Sequence, residues 1–417
     1  MTENTVQEYR KRVENQKCGT LSKSGFYMPK WREDIGRKRN IEWFTDVSQI
    51  KGLSHEERTA LRKVNDAYGF RANSYYLSLI DWDDPSDPIR KIVVPNPIEL
   101  EDISGSLDAS LEHNVTVVPG CEHKYAQTAL ILVSRVCGAL CRFCFRKRLF
   151  SRENTEISPD LEPAFEYIRS HNEISNVLLT GGDSFILPTE KIASILRTLR
   201  AIPHVRAIRF GSKLPAFNPY RFIDDPELLD VLQKHSSHNK RIYLISHFNH
   251  PREVTDVAME AVGLLIRHGI IILNQTPLIE GINSNPEVLG ELFSKLTHIG
   301  IAPYYVFQCR PTRGNAHFMT SLEESIDIVE KAKRQVSGLG KRARLAGSHA
   351  TGKIEILFYD NTHIYFKYHQ SKDPRYHGQA FKLLRKENAR WWDDWMPDRG
   401  SFSLDNCPDA VLMSGSV

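Results

Sequence analysis

The hydrophobic pattern of the chain changes character near residue 128. From there on, apolar and β-branched residues gather in short runs: TALILVS (128–134), ISNVLLT (174–180), VRAIRFGS (205–212), RIYLISH (241–247), GIIILNQ (269–275) and IAPYYVFQC (301–309). Segments of helical period follow, among them LEPAFEYIRS (161–170), EKIASILRTLR (190–200), REVTDVAMEAVGLLIRHG (252–269) and SLEESIDIVEKAKRQ (321–335). Six strands alternating with helices predict an α/β fold with a parallel sheet of βαβ units. The near-continuous apolar runs predict strands covered on both faces. An open doubly wound sheet and a barrel both satisfy this pattern. Either one puts the working groups at the C-terminal ends of the strands. Those ends carry Cys137, GGD (181–183), GSK (211–213), SHFNH (246–250), NQT (274–276) and QCR (308–310).

The flanks read differently. SHEERTALRKVND (54–66) predicts a helix with Ser54 as N-cap and Glu57 closing a capping box. The Pro-rich stretch 86–101 predicts irregular chain. KIEILFYDNTHIYFKYH (353–369) predicts a β-hairpin turning at Asp360-Asn361. The segment ENARWWDDWMPDRG (387–400) is expected to lie on the surface. These changes divide the chain into a mainly helical accessory region (1–110), a βα core (111–340) and a C-terminal extension (341–417).

Composition adds exclusions. Of 417 residues, 41 % are hydrophobic and 25 % charged, an ordinary globular balance. A net charge of +4 does not fit a general nucleic-acid binder. No apolar run is long enough for a membrane span, so no membrane partner is expected. The polar start lacks the apolar core of a secretory signal, so a cytoplasmic location with reduced thiols is expected. Seven cysteines, an odd count, argue against a full disulfide framework.

Three of those cysteines, Cys137, Cys141 and Cys144, follow the first strand with spacing C-x3-C-x2-C, and Arg142, Arg146, Lys147 and Arg148 accompany them. Three thiolates on one loop suit an iron–sulfur cube, and a missing fourth leaves one iron open to another ligand. A structural zinc site needs four closed ligands, for which Cys121 or His123 would have to supply the last. A cluster of buried free cysteines is the third reading.

The spacing and its place after the first strand resemble the radical S-adenosylmethionine (SAM) superfamily, and TGGD (180–183) resembles its SAM-binding glycine motif. The resemblance extends to YYLSLIDWDDPSDPIRK (75–91), CRFCFRKR (141–148), HFNHPREVT (247–255), NQTPLIEGIN (274–283) and PYYVFQC (303–309), which together resemble the lysine 2,3-aminomutase family. That likeness implies a partial (β/α)6 barrel with a helical N-terminal region and a C-terminal β-hairpin extension. It implies a [4Fe-4S] cluster on Cys137, Cys141 and Cys144. SAM is implied to bind at Gly181, Gly182, Asp183, Ser212 and His247. It also implies pyridoxal 5′-phosphate (PLP), with Lys353 as Schiff-base lysine and Lys124 and Tyr125 near the phosphate. Thr128 stands where the family has a second arginine, and Ser348, His349 and Thr351 stand where glycine is usual.

Arg146 matches the family's clamp for the substrate carboxylate, a job suited to a planar fork. The lysine-specific members have two aspartates for the substrate's ε-ammonium. Here those places hold Arg310 and Ala346, so the resemblance implies a substrate other than lysine, with glutamate or another acidic amino acid expected. The family's intersubunit zinc cysteines are represented by Cys407 alone, with Asn285 at the other place, so that zinc is not expected. A homodimer or higher homo-oligomer and a flavodoxin- or ferredoxin-type electron donor are expected partners. The alternatives are a relative with another substrate or another PLP-radical reaction and, from another class, a zinc-stabilised binding protein.

Overall fold

The computed structural model describes residues 41–150, 154–396 and 401–413. The chain before residue 41, with Cys18 and the start of the accessory region, lies outside them. Ahead of the main sheet, β1 (Trp43–Phe44) pairs antiparallel with β2 (Ala72–Asn73). Between them runs a helix, His55–Tyr68, whose Ser54 accepts from the Glu57 amide at 3.1 Å while the Glu57 carboxylate accepts from the Ser54 amide at 2.8 Å.

One sheet of 13 strands organises the rest. Its parallel part comprises β5 (Thr128–Ser134), β6 (Asn176–Gly181), β7 (Ala207–Ser212), β8 (Ile242–Ser246), β9 (Ile271–Leu278), β10 (Ala302–Gln308) and β11 (Arg344–His349). At one edge β3 (Thr116–Val118) and β4 (Cys121–Tyr125) add antiparallel to β5. At the other edge β12 (Gly352–Tyr359), β13 (His363–Ser371), β14 (Ala380–Leu384) and β15 (Val411–Leu412) add antiparallel to β11. Spatial order follows chain order throughout. A doubly wound sheet reverses its order at a switch point, so this sheet is singly wound. Among the described residues no helix is long and apolar enough to cross a membrane.

Four sequence expectations are corrected. First, the strands are not apolar on both faces. Along β6, Val177 and Leu179 are buried against the helical layer, while Asn176, Leu178 and Thr180 line an internal cavity; β7 repeats this with Ile208 and Phe210 against Arg209 and Gly211. The period of two carries a polar inner face that a reading of the runs as uniformly apolar overlooks.

Second, the parallel strands number seven rather than the six expected, because Arg344–His349 pairs with Tyr305–Phe307 of β10. Third, the Pro-rich stretch contains a helix, Pro88–Val93, because Pro88 sits in the first turn and Asp87 caps it by accepting from the Arg90 amide at 2.8 Å. Fourth, Trp391, Trp392 and Trp395 are buried. Trp392 lies so close to Gly347 that a Cβ there would meet its ring at 2.2 Å.

Candidate active site

The C-terminal ends of β5 to β10 open into one cavity of 440 Å³. Every strand-end motif singled out above contributes to its lining: Cys137, Gly181 to Asp183, Gly211 to Lys213, His247, Gln275 and Arg310. Lys124, Tyr125, Arg146, Ser348 and Lys353 join them there from β4, the cysteine loop, β11 and β12.

The cysteine loop is held by its backbone. Leu140 N donates to Arg71 O at 2.9 Å and Arg142 N to Ile92 O at 2.8 Å, while Arg71 Nε donates to Cys137 O at 2.8 Å. Gly181 adopts φ +108°, which favours glycine. A Cβ on Gly182 would meet the Val136 carbonyl oxygen at 2.5 Å, so the glycine pair lets the second strand end approach the loop. Cys137, Cys141 and Cys144 are unbridged, and burial raises all three thiol pKa values, with neighbouring charges including the other thiols raising Cys137 and Cys141 further. Among the described residues no three His, Cys, Asp or Glu side chains converge as the ligands of one metal ion would.

The two candidates for a fourth zinc ligand are placed elsewhere. Cys121 pairs across the sheet with Val118 and Ile131 and does not line the cavity. His123 uses Nδ1 on Tyr167 Oη at 2.9 Å and Nε2 on Ala126 O at 3.1 Å. Strand alternation turns Glu122 and Lys124 inward instead, and an irregularity in the β4–β5 register lets Tyr125 follow.

The four cations of the cysteine segment are spoken for by two buried carboxylates. Arg142 forks onto Glu99 with Nε to Oε1 at 2.9 Å and Nη2 to Oε2 at 2.8 Å, and Lys147 reaches the same group at 3.2 Å. Arg146 forks onto Glu112 through Nε at 3.1 Å and Nη2 at 2.7 Å, and Arg148 reaches it at 2.6 Å. Burial opposes ionisation of Glu112, yet these two guanidiniums hold its carboxyl well below the usual range. Its neighbour Glu122 is pushed upward by burial and by Glu112. Arg146 therefore meets a carboxylate of its own protein. It keeps Nη1, which donates to Thr180 Oγ1 at 3.2 Å, and the outer N–H of Nη2.

Asp183 spends its carboxylate inside the protein. It accepts from Ser212 Oγ and Lys213 N at 2.8 Å, from Phe185 N at 3.0 Å and from Leu214 N at 3.2 Å, and burial raises it to about 6. Asp183 and Ser212 thus tie the ends of β6 and β7 together. Lys213, unassigned from sequence, binds His247 O and Asn249 Oδ1 at 2.7 Å and Glu253 at 2.5 Å. His247 is driven to about 3 by burial and by Lys213 and Arg146, so its ring is neutral beside the Gln275 amide at 2.9 Å.

Lys353 sits one residue into β12 with Nζ 4.2 Å from the centre of the Tyr305 ring. Burial lowers it to about 7, helped by Arg209, Arg310 and Lys124. A neutral amine is therefore at hand, as an aldehyde cofactor requires. Lys124, lowered by burial and Arg310 to about 7, donates to the His349 carbonyl. Ser348 faces the cavity. His349 and Thr351 bond each other at 2.8 Å and reach Asp393 and Tyr368, away from it, so these replacements of glycine leave the site clear.

Arg310 stacks on Phe145, 3.7 Å from ring centre to guanidinium carbon, and its buried Nη1 has no hydrogen-bond partner among the described residues. Ala346 is fully buried in β11. Asn285 caps a helix, accepting from Glu287 N at 2.8 Å and Val288 N at 3.1 Å. Sequence reasoning missed Glu99, Glu112, Glu122, Lys213 and Arg209. For Glu122 a signal existed, its position two residues from Lys124 on one strand.

No protein-family model matches the chain. It is 50 % identical over 362 residues, 87 % of this chain and 96 % of the relative, to an Aquifex aeolicus (strain VF5) protein provisionally named L-lysine 2,3-aminomutase. It is 34 % identical over 310 residues, 74 % of this chain and 73 % of the relative, to the L-lysine 2,3-aminomutase of Clostridium subterminale. It is 33 % identical over 309 residues, 72 % of each chain, to the glutamate 2,3-aminomutase of Clostridioides difficile (strain 630).

Proposed function

The chain belongs to the lysine 2,3-aminomutase family of the radical SAM superfamily, and from that premise we propose that it is a PLP-dependent amino acid 2,3-aminomutase whose substrate is glutamate or another acidic amino acid rather than lysine. The singly wound parallel sheet supports reading the core as the superfamily's partial (β/α)6 barrel, with β11 to β13 as the extension that presents Lys353.

The residues fit the implied groups. Three reduced thiols on one backbone-held loop suit a cubane with a vacant corner, and a near-neutral lysine on aromatic rings suits PLP. Bound there, cluster and SAM would supply a one-electron cleavage yielding a hydrogen-abstracting radical, and PLP would carry the amino nitrogen between carbons. The chain's own residues bind and orient. Arg146, locked by Glu112, offers its remaining edge with Thr180 to the α-carboxylate. The strand ends hold the reactants in one enclosed space, which favours reaction in line.

The observation that carries the substrate assignment is Arg310, a buried guanidinium with an idle Nη1 on the cavity wall. The acids in the lining are Glu112, held by two arginines, Asp183, spent on β7, and Glu122, shifted toward its neutral form. A lysine ε-ammonium would meet a cation without a free anion, whereas a side-chain carboxylate would give Nη1 its partner. The names of the lysine relatives favour the other ranking. Purified protein, reconstituted anaerobically with iron, sulfide, SAM, PLP and a low-potential reductant, is expected to isomerise L-glutamate faster than L-lysine. The reverse order defeats the assignment. A flavodoxin- or ferredoxin-type donor and a homo-oligomer are further parts of this proposal.

A further inference from the structure

Glu122 stands in the cavity with nothing to do in the scheme above. Its residue is 6 % exposed, its Oε2 lies 3.8 Å from Arg146 Nη2, and its Oε1 has no hydrogen-bond partner among the described residues. An idle buried carboxyl oxygen costs free energy unless a ligand uses it. Charged and titratable groups face it from each neighbouring element. Arg146 and Arg148 come from the cysteine segment, Glu112 and Asp108 from the chain before β3, Cys121 and Lys124 from β4 itself, and Arg310 from the end of β10.

Two acids therefore compete for one guanidinium. Glu112 holds it through a fork, and Glu122 is left with a long contact, so Glu112 is the acid that ionises first and Glu122 the one that keeps its proton to higher pH. The edge of Arg146 that Glu122 adjoins is the edge left for a ligand.

We propose that Glu122 is the second half of the carboxylate anchor: as the neutral acid it donates its O–H to one oxygen of the incoming α-carboxylate while the free edge of Arg146 binds that carboxylate as the cation. No covalent bond changes and the proton stays on Glu122. This rests on the proposal that the cavity takes an amino acid, and it goes beyond the clamp by Arg146 alone. Once ionised, Glu122 would repel the ligand from the same arginine. Bound carboxylate thus favours the protonated form, and binding above the free protein's pKa must draw a proton from solution.

Glutarate, which has the two carboxylates of glutamate and no amine to react with PLP, isolates this event. Reconstituted anaerobic holoprotein would be titrated with glutarate by calorimetry in buffers of different ionisation enthalpy on both sides of pH 7. Uptake approaching one proton per glutarate is expected above about 7, with affinity falling about tenfold for each further pH unit. Glu122→Gln, neutral at every pH and of the same shape, should abolish both effects and leave affinity below pH 7 within a few fold.

Glutarate binding without proton uptake, proton release in its place, a Glu122→Gln protein that keeps the pH dependence, or no glutarate binding at all overturns the proposal. Lys124, lowered to about 7 in the same cavity, also gains a proton when an anion binds, so the uptake is assigned to Glu122 by its loss in the variant, and Glu122→Asn, equally uncharged, makes the same comparison if Glu122→Gln does not fold. If L-glutamate is isomerised while glutarate takes up no proton, the role of Glu122 fails and the aminomutase reading stands. If no amino acid is isomerised, that reading fails on its own evidence.

Discussion

Burial lowers the Lys353 ammonium to about 7 before Arg209, Arg310 and Lys124 add their repulsion. A lysine so depressed contributes stability that is present above its ordinary value of 10.5 and lost as pH falls towards 7, below which the loss is complete. Lys353→Met, apolar and similar in length, should therefore make the cofactor-free protein more stable at neutral pH by on the order of 2 kcal/mol, with the gain vanishing at strongly alkaline pH. Denaturant midpoints across that range check the sign, and the same variant should lose PLP fixable by borohydride. At Arg310 the lever is charge. Arg310→Asp should shift the ratio of lysine to glutamate turnover towards lysine by roughly tenfold or more, since each 1.4 kcal/mol of relieved repulsion is a factor of ten; an unchanged ratio would mean that the side-chain end of the substrate lies elsewhere. The cysteines, Arg146 and Lys353 were legible in the sequence because each stands in a local motif. Glu112 and Glu99 were not, because their arginines lie 34 and 43 positions away and only the fold introduces them.

Among elements, the cysteine loop depends on what lies beneath and behind it. Glu99 is fully buried between Arg142 and Lys147, and removing one partner of such a group strands charge in a dry interior. Glu99→Gln should cost roughly 3–5 kcal/mol and weaken iron retention, since the cations it gathers belong to the loop. Gly182→Ala drives a Cβ into the Val136 backbone at 2.5 Å, which the loop can meet only by moving. Iron content after reconstitution should fall in both variants while far-UV circular dichroism stays near wild type; full iron retention in either would mean that the loop is less dependent on its supports. The parallel strands were legible from their apolar runs and the first helix from its capping box. Strand β11 was not, because AGSH carries no β-branched residue, and its place follows from pairing with β10 and from Trp392 against Gly347. The tryptophans misled in the opposite way, since charged neighbours hid a buried cluster.

Across the whole molecule, one consequence of a singly wound sheet is that every parallel strand ends at the same rim, so the side chains proposed to serve cofactors and substrate line one cavity. The thiols add chemistry to that arrangement and little to its support: the loop bearing them is fastened by backbone bonds to residues 71 and 92 and by Arg142 on Glu99, and no disulfide joins them. Fold and radical chemistry should therefore separate. Replacing Cys137, Cys141 and Cys144 together by alanine is expected to leave the cofactor-free thermal midpoint within a few degrees of wild type and to preserve the PLP binding proposed at Lys353, which stands on β12 and not on the cysteine loop. The same protein should retain no iron after reconstitution and release no 5′-deoxyadenosine under reduction. Because the first two measurements establish that the molecule is intact, loss of the last two assigns the one-electron step to the loop itself. Continued 5′-deoxyadenosine release from the alanine protein would instead detach the cysteines from the chemistry and leave the cavity without a source for its radical.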